Sequence, residues 1–207
     1  MDFVHPIAAV IPGAQGRVLA VLAETTAELN LRTLSRLSGV SVAQASRVMP
    51  GLVDLGLVER REVPPSSLFR LVRTHVAARS VLGLAAARDT VLADIGAAAR
   101  ALTVPPTSVI VFGSFARGEA GPDSDLDVVF VRPPDIGEDD DRWAASIELW
   151  RTAVRALTGN PVEILEVDAH QAATRLGNGT PLWQDIRRDG RIVHGLSLDE
   201  LAGVLSA

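Results

Sequence analysis

Hydrophobic positions in the first third of the chain recur at helical spacing. Val18, Leu19, Leu22 and Leu29 fall on one helical face, and Leu31, Leu34 and Leu37 mark a second, shorter helix. Gly39 permits a sharp turn, and Ser41 is placed to cap a third helix whose buried stripe reads Val42, Ala45, Met49 and Leu52. The opposite face presents Ala43, Gln44, Ser46 and Arg47. Pro50 removes a backbone donor and crowds the preceding turn, which predicts a kink there or a shortened helix. Strand-like runs follow: "GLVERREV" and "SLFRLVRTH" read as two short strands joined by "PPSS". Residues 76–102 return to helical period, with Leu84, Val91, Ile95, Ala98 and Leu102 as the stripe of one long helix ended by "TVPPTS". Beyond it, "SVIVF" and "SDLDVVFV" read as strands around a turn and short helix, "GSFARG". "WAASIELWRTAVRAL" predicts a helix with Trp143, Ile147, Trp150, Val154 and Leu157 on its buried side. The acidic run Glu138–Asp141 before it suits the positive end of a helix dipole. "NPVEILEV" is a further strand, and the tail supplies Leu182, Trp183 and Ile186 as core candidates.

These elements divide into a first domain over residues 1–75, a connecting helix over 76–103 and a second domain over 104–207. The fold class expected is α/β (α+β). With 47% hydrophobic residues, a real core can be buried. No apolar run is long enough to span a bilayer and no basic leader precedes the first apolar residues, so a cytoplasmic chain without a membrane partner is expected. The absence of cysteine excludes disulfides, thiol nucleophiles and zinc–thiolate sites. All 20 basic residues are arginine, so a lysine-dependent phosphate loop and a Schiff base are excluded, and the lack of tyrosine excludes a tyrosine nucleophile. Formal charge is uneven, +3 over residues 1–103 and −8 over 104–207, a contrast that suits a nucleic-acid-binding half beside a different activity.

The helical rhythm and the paired strands over residues 16–75 resemble the winged helix-turn-helix of bacterial transcription regulators. That resemblance implies a third helix in a major groove and a wing along the backbone. Gln44, Ser46, Arg47, Arg60, Arg61, Arg70 and Arg73 would then contact DNA or RNA. Winged helices also serve as dimerisation or docking modules, and a homodimer is among the assemblies this half allows.

The chemistry concentrates in "VFGSFARGEAGPDSDLDVVF", residues 111–130. A strand leading into a turn and helix start presents unpaired N–H groups to an anion. Gly113 allows close approach of phosphate, Ser114 adds a hydroxyl, and Arg117 offers a planar fork. Asp125 and Asp127 lie two apart and share one face of the second strand. Adjacent carboxylates repel unless a cation neutralises them, and hard oxygen ligands suit Mg²⁺ or Mn²⁺. A Walker loop needs lysine, and a dinucleotide fingerprint needs a third glycine in register; neither is present. A plain turn explains Gly118, Gly121 and Pro122 but not two aspartates on an apolar strand.

The ordered run Gly-Ser, short helix, Arg-Gly, Ser-Asp-x-Asp resembles the minimal nucleotidyltransferases of the DNA polymerase β-like superfamily, some of which are toxin–antitoxin components. The likeness spans residues 104–195 and implies a mixed α/β core. It also implies a nucleoside triphosphate such as ATP, bound through Gly113, Ser114 and Arg117, and metal held by Asp125, Asp127 and a third carboxylate, Glu163. Glu163 stands where the family more often has Asp, and it is either a metal ligand or the general base. Arg117 either assists or pins the loop. The implied activity is transfer of a nucleoside monophosphate to a hydroxyl of a protein or RNA. The alternative is a DNA-binding regulator whose second domain only senses nucleotide. Glu166 and Asp168 read as surface acids, and His170 and His194 as isolated histidines.

Overall fold

Three apolar clusters organise the chain, one in its first unit and two on opposite faces of the second unit's sheet, and a computed structural model describes residues 1–203 of it. One compact unit runs from Val4 to Ala87; the other begins at Arg88 and takes in Met1 and Phe3.

The first unit opens with α1 (Pro6–Val10) and α2 (Gly13–Glu24), followed by the two-residue β1 (Leu29–Asn30) and α3 (Leu31–Ser38). It continues with α4 (Val42–Asp54), β2 (Val58–Val63), β3 (Ser66–Leu71) and α5 (Val76–Ala85). The strands form one antiparallel sheet in the order β1-β3-β2, the wing. Asn30 caps α3 by accepting from the Thr33 N–H, and Gly39 ends it in the left-handed region that costs glycine nothing. Ser41 and Gln44 cap α4 reciprocally. Val18, Leu19, Leu22, Leu34, Ala45, Met49 and Leu52 are buried together with Phe69 and Leu71 of the wing.

Several expected positions shift. Leu29 lies in β1 rather than on the helical face, because α2 ends at Glu24. Leu37 and Val42 face solvent, since each lies at an end of its helix beyond the buried stripe. α4 runs unbroken through Pro50. Ser46 and Pro50 are both exposed, so solvent can serve the carbonyl that loses its donor.

The stretch expected as one connecting helix is two, α5 and α6 (Ala87–Arg100), separated at Ala86. The two halves serve different cores: Ala78 and Val81 belong to the first, Val91, Ile95 and Ala99 to the second.

The second unit continues with β4 (Ser108–Phe112), α7 (Gly113–Arg117), β5 (Leu126–Arg132) and α8 (Asp141–Thr158). Next come β6 (Val162–Asp168), α9 (Ala169–Gly177), α10 (Pro181–Asp189), β7 (Arg191–Gly195) and α11 (Leu198–Gly203). The sheet order is β6-β5-β4-β7. β5 and β6 are parallel and the other pairs antiparallel, so the sheet is mixed. A parallel pair needs a long crossover, which α8 provides. Leu126, Val128 and Phe130 alternate into one core layer, and Val129 and Val131 into the other, so β5 is buried on both faces. Asp140 caps α8 through the Arg142 and Trp143 N–H groups, and the Arg142 side chain holds its carboxyl down to about 2. Leu157 and Leu182, expected in the core, are exposed; Thr158 and Trp183 take the buried positions beside them. Glu166 is no ordinary surface acid: it pairs with Arg132 at 3.1 Å and accepts from Trp143 Nε1 at 2.8 Å. Asp168 is the cap of α9. No helix among the described residues is long and apolar enough to cross a membrane.

Candidate functional site

β4 delivers the chain to Gly113, which adopts φ +68°, and α7 begins there. Any other residue at 113 would place its Cβ 2.3 Å from Oδ2 of Asp127. The glycine is therefore required twice, for its backbone conformation and for the space it leaves a carboxylate. α7 is only five residues long and ends at Gly118, φ +80°.

Asp127 lies opposite Phe112 on β4 and opposite Glu163 on β6. Neighbouring strands lie about 4.8 Å apart, and both acids alternate onto the same face of the sheet. Asp127 is half-buried, while Asp125 and Glu163 are exposed. Burial raises the Asp127 carboxyl above its usual 3.8; Asp125 and then Glu163 raise it further, and Arg117 pulls it the other way. The sequence-predicted trio is thus electrostatically coupled around Asp127. Among the described residues, however, no three carboxylates or histidines stand gathered as ready metal ligands. The donor set suits a hard divalent cation: all donors are carboxylate oxygens, and the strained member is the one that a positive charge would relieve.

Ser114 is half-buried beside Gly113, and no hydrogen bond of its hydroxyl is observed. Arg117 makes an ion pair with Glu119 at 2.8 Å; the Asp189 carboxyl is lowered chiefly by Arg188, with Arg117 contributing less.

Two positioning residues escaped the sequence reading. Arg88, at the start of α6, donates through Nε to the Phe115 carbonyl at 3.3 Å and also bonds the Ala116 carbonyl. It caps the short helix from outside. Asn160 is fully buried and donates to the Ser124 carbonyl at 2.8 Å and the Gly121 carbonyl at 3.4 Å, anchoring the segment just before Asp125. Neither has a local signal, because each acts on residues distant in sequence. His170 caps nothing and is exposed; His194 lies on β7, its pKa lowered by burial and Arg100.

In the first unit, the predicted nucleic-acid contacts are exposed but unequal. Arg61 is held by Glu28, Arg70 by Glu59 at 2.6 Å, and Arg60 by Glu62 at 2.7 Å. Arg73 donates to the Ala23 carbonyl at 2.8 Å. Gln44 is committed to capping α4. Ser46 and Arg47 are exposed on α4 with no side-chain partner observed.

Residues 98–171 match the nucleotidyltransferase domain family, and residues 16–62 match the IclR helix-turn-helix domain. No curated protein matches the chain. A solved structure described as "Crystal structure of the toxin-antitoxin with AMP-PNP" aligns with 56% of this chain and 82% of its own, at 19% identity and a TM-score of 0.38. A likeness that small bears on neither fold nor function. The domain matches and the mixed sheet agree: the chain joins an N-terminal helix-turn-helix domain of the IclR kind to a nucleotidyltransferase domain.

Proposed function

We propose that this chain moves a nucleoside monophosphate from a nucleoside triphosphate to a hydroxyl of a protein or RNA acceptor, with Mg²⁺ or Mn²⁺ as cofactor. The winged helix holds nucleic acid, DNA or RNA. One observation carries the reading: Asp127, in register with Glu163 and coupled to Asp125, packs its carboxylate into the space left by Gly113.

Asp125, Asp127 and Glu163 would hold the cation, which when bound supplies charge neutralisation to the triphosphate and to the attacking hydroxyl. The remaining work falls on the chain. Gly113 and Ser114 bind the outer phosphates, and fixed donors there stabilise charge as it develops. Where Glu163 does not itself ligate the cation, its exposed carboxylate on β6 is the group that accepts the hydroxyl proton. The hydroxyl oxygen then bonds to the α-phosphorus as the bond to the bridging oxygen breaks, and pyrophosphate leaves with that electron pair. With no tyrosine in this sequence, a tyrosine acceptor would have to come from another chain.

The test is transfer of label from an α-labelled nucleoside triphosphate into cell-extract protein or RNA, with pyrophosphate release measured in parallel. Wild type should do both, and Asp127→Asn should lose at least about a hundredfold in rate. Tight nucleotide binding without pyrophosphate release would replace transfer with nucleotide sensing by a regulator.

A further inference from the structure

A groove of about 610 Å³ opens within the first unit, between α4 and the wing. That volume is in the range of small-molecule sites. Its two walls are regular. Ser46, Pro50 and Asp54, each four residues from the next, form one helical stripe on α4, with Met49 beside it. Arg60 and Glu62 of β2, paired with Phe69 and Ser67 of β3, share one face of the wing. Met49 and Phe69 are buried and form an apolar floor.

The electrostatics select the ligand. Arg60 is neutralised: it pairs with Glu62 at 2.7 Å and donates to Ser67 at 3.2 Å, and Ser67 in turn donates to Glu62 at 2.9 Å. Asp54 on the rim is exposed, and no partner for its carboxylate is observed. The lining therefore carries one uncompensated negative charge together with a thioether and an aromatic ring at its floor, a combination that favours a cation with an aromatic body. Anions, including nucleic-acid phosphate, meet an unmatched carboxylate there.

We propose that this groove is a binding site for a small organic monocation with an aromatic body. Ser46 and Arg60 also belong to the surface assigned above to nucleic acid, so occupancy would compete with it. That consequence rests on the nucleic-acid reading; the binding site itself does not.

The experiment is calorimetric titration of the full chain with tetraphenylphosphonium and, separately, with tetraphenylborate, which has a closely similar shape and the opposite charge. The cation should bind and the borate should bind at least about tenfold more weakly. Asp54→Asn should weaken the cation about fivefold, the scale of a partly exposed ion pair, and narrow the gap between the two probes. Ser46→Trp, at an exposed position, should fill the groove and abolish binding; circular dichroism checks its fold. Absent cation binding, borate binding as tight as the cation, or affinity unchanged in both variants would overturn the site. Competition is read separately, by displacement of a labelled duplex. Probe binding without displacement would leave the site in place and remove only its link to nucleic acid.

Discussion

Gly113 and Asp127 are complementary across the β4–β5 pair: the hydrogen in place of a Cβ at 113 is what admits the Asp127 carboxylate, 2.3 Å from where that Cβ would stand. Gly113→Ala therefore carries two costs, a left-handed backbone of about 1–2 kcal/mol and a displaced carboxylate. The expected outcome is loss of at least about 2 kcal/mol of stability, with transfer activity abolished. In the Asp127→Ala background the second cost disappears, since only the Asp127 Cβ remains, at an ordinary 3.5 Å. A double-mutant cycle by denaturant unfolding should therefore show coupling, and strict additivity would refute the complementarity.

Asp127 should trade stability for function. Its carboxyl is raised above 3.8 by burial and by Asp125 and Glu163. The native state thus holds the proton more tightly than the unfolded chain. Stability then falls as pH rises from about 3.8 through the raised value and stays lower above it. Asp127→Asn removes that penalty. It should be more stable than wild type near neutrality and no more stable below the window. Thermal melts across pH check this, and a variant less stable at neutral pH would contradict it.

What was legible in the sequence was what local pattern controls. Ser41 capped its helix as read, and the strand Val162–Asp168 brought Glu163 into line with Asp127 because alternation fixes which side chains share a face. What was hidden depends on partners far along the chain. The break at Ala86 has no glycine or proline to announce it; it arises because the two halves pack on different cores. Leu157 and Leu182 continue helical stripes on paper but lie at the margins of their packed faces. Glu166 reads as a surface acid until Arg132 and Trp143 are seen to reach it.

Asn160 is expected to position Asp125. Its amide donates to the Ser124 and Gly121 carbonyls from a fully buried site. Asn160→Leu leaves buried polar groups unpaired, at a cost of about 1–3 kcal/mol. Activity should fall further than the folded fraction does, measured as kcat at a temperature where the variant is fully folded. A kcat equal to wild type would reduce Asn160 to a purely structural role.

Arg88 should act on nucleotide binding through the short helix. It meets the Phe115 and Ala116 carbonyls, and a Cβ at Gly118 would lie only 3.1 Å from its guanidinium. Arg88→Ala frees the end of α7, so KM for the triphosphate should rise several-fold, about 1 kcal/mol, with less change in kcat. Arg88→Lys keeps the charge but loses the fork, and should restore only part of the affinity. Equal KM in all three forms would remove the loop-positioning role.

The arginines of the first unit should contribute unequally to nucleic-acid binding. Arg47 is exposed on α4 with no partner observed, whereas Arg61 and Arg70 are already matched by Glu28 and Glu59. A phosphate gains little from a cation that must first leave a carboxylate. Arg47→Ala should weaken binding of a mixed-sequence duplex about fivefold and reduce the slope of log affinity against log salt by about one. Arg61→Ala should change either quantity far less, because it exposes Glu28 as it removes a positive charge. Fluorescence anisotropy over a salt series measures both. An Arg61→Ala effect equal to that of Arg47→Ala would mean the Glu28 pair opens on binding and the unliganded charge pairing does not govern the interface.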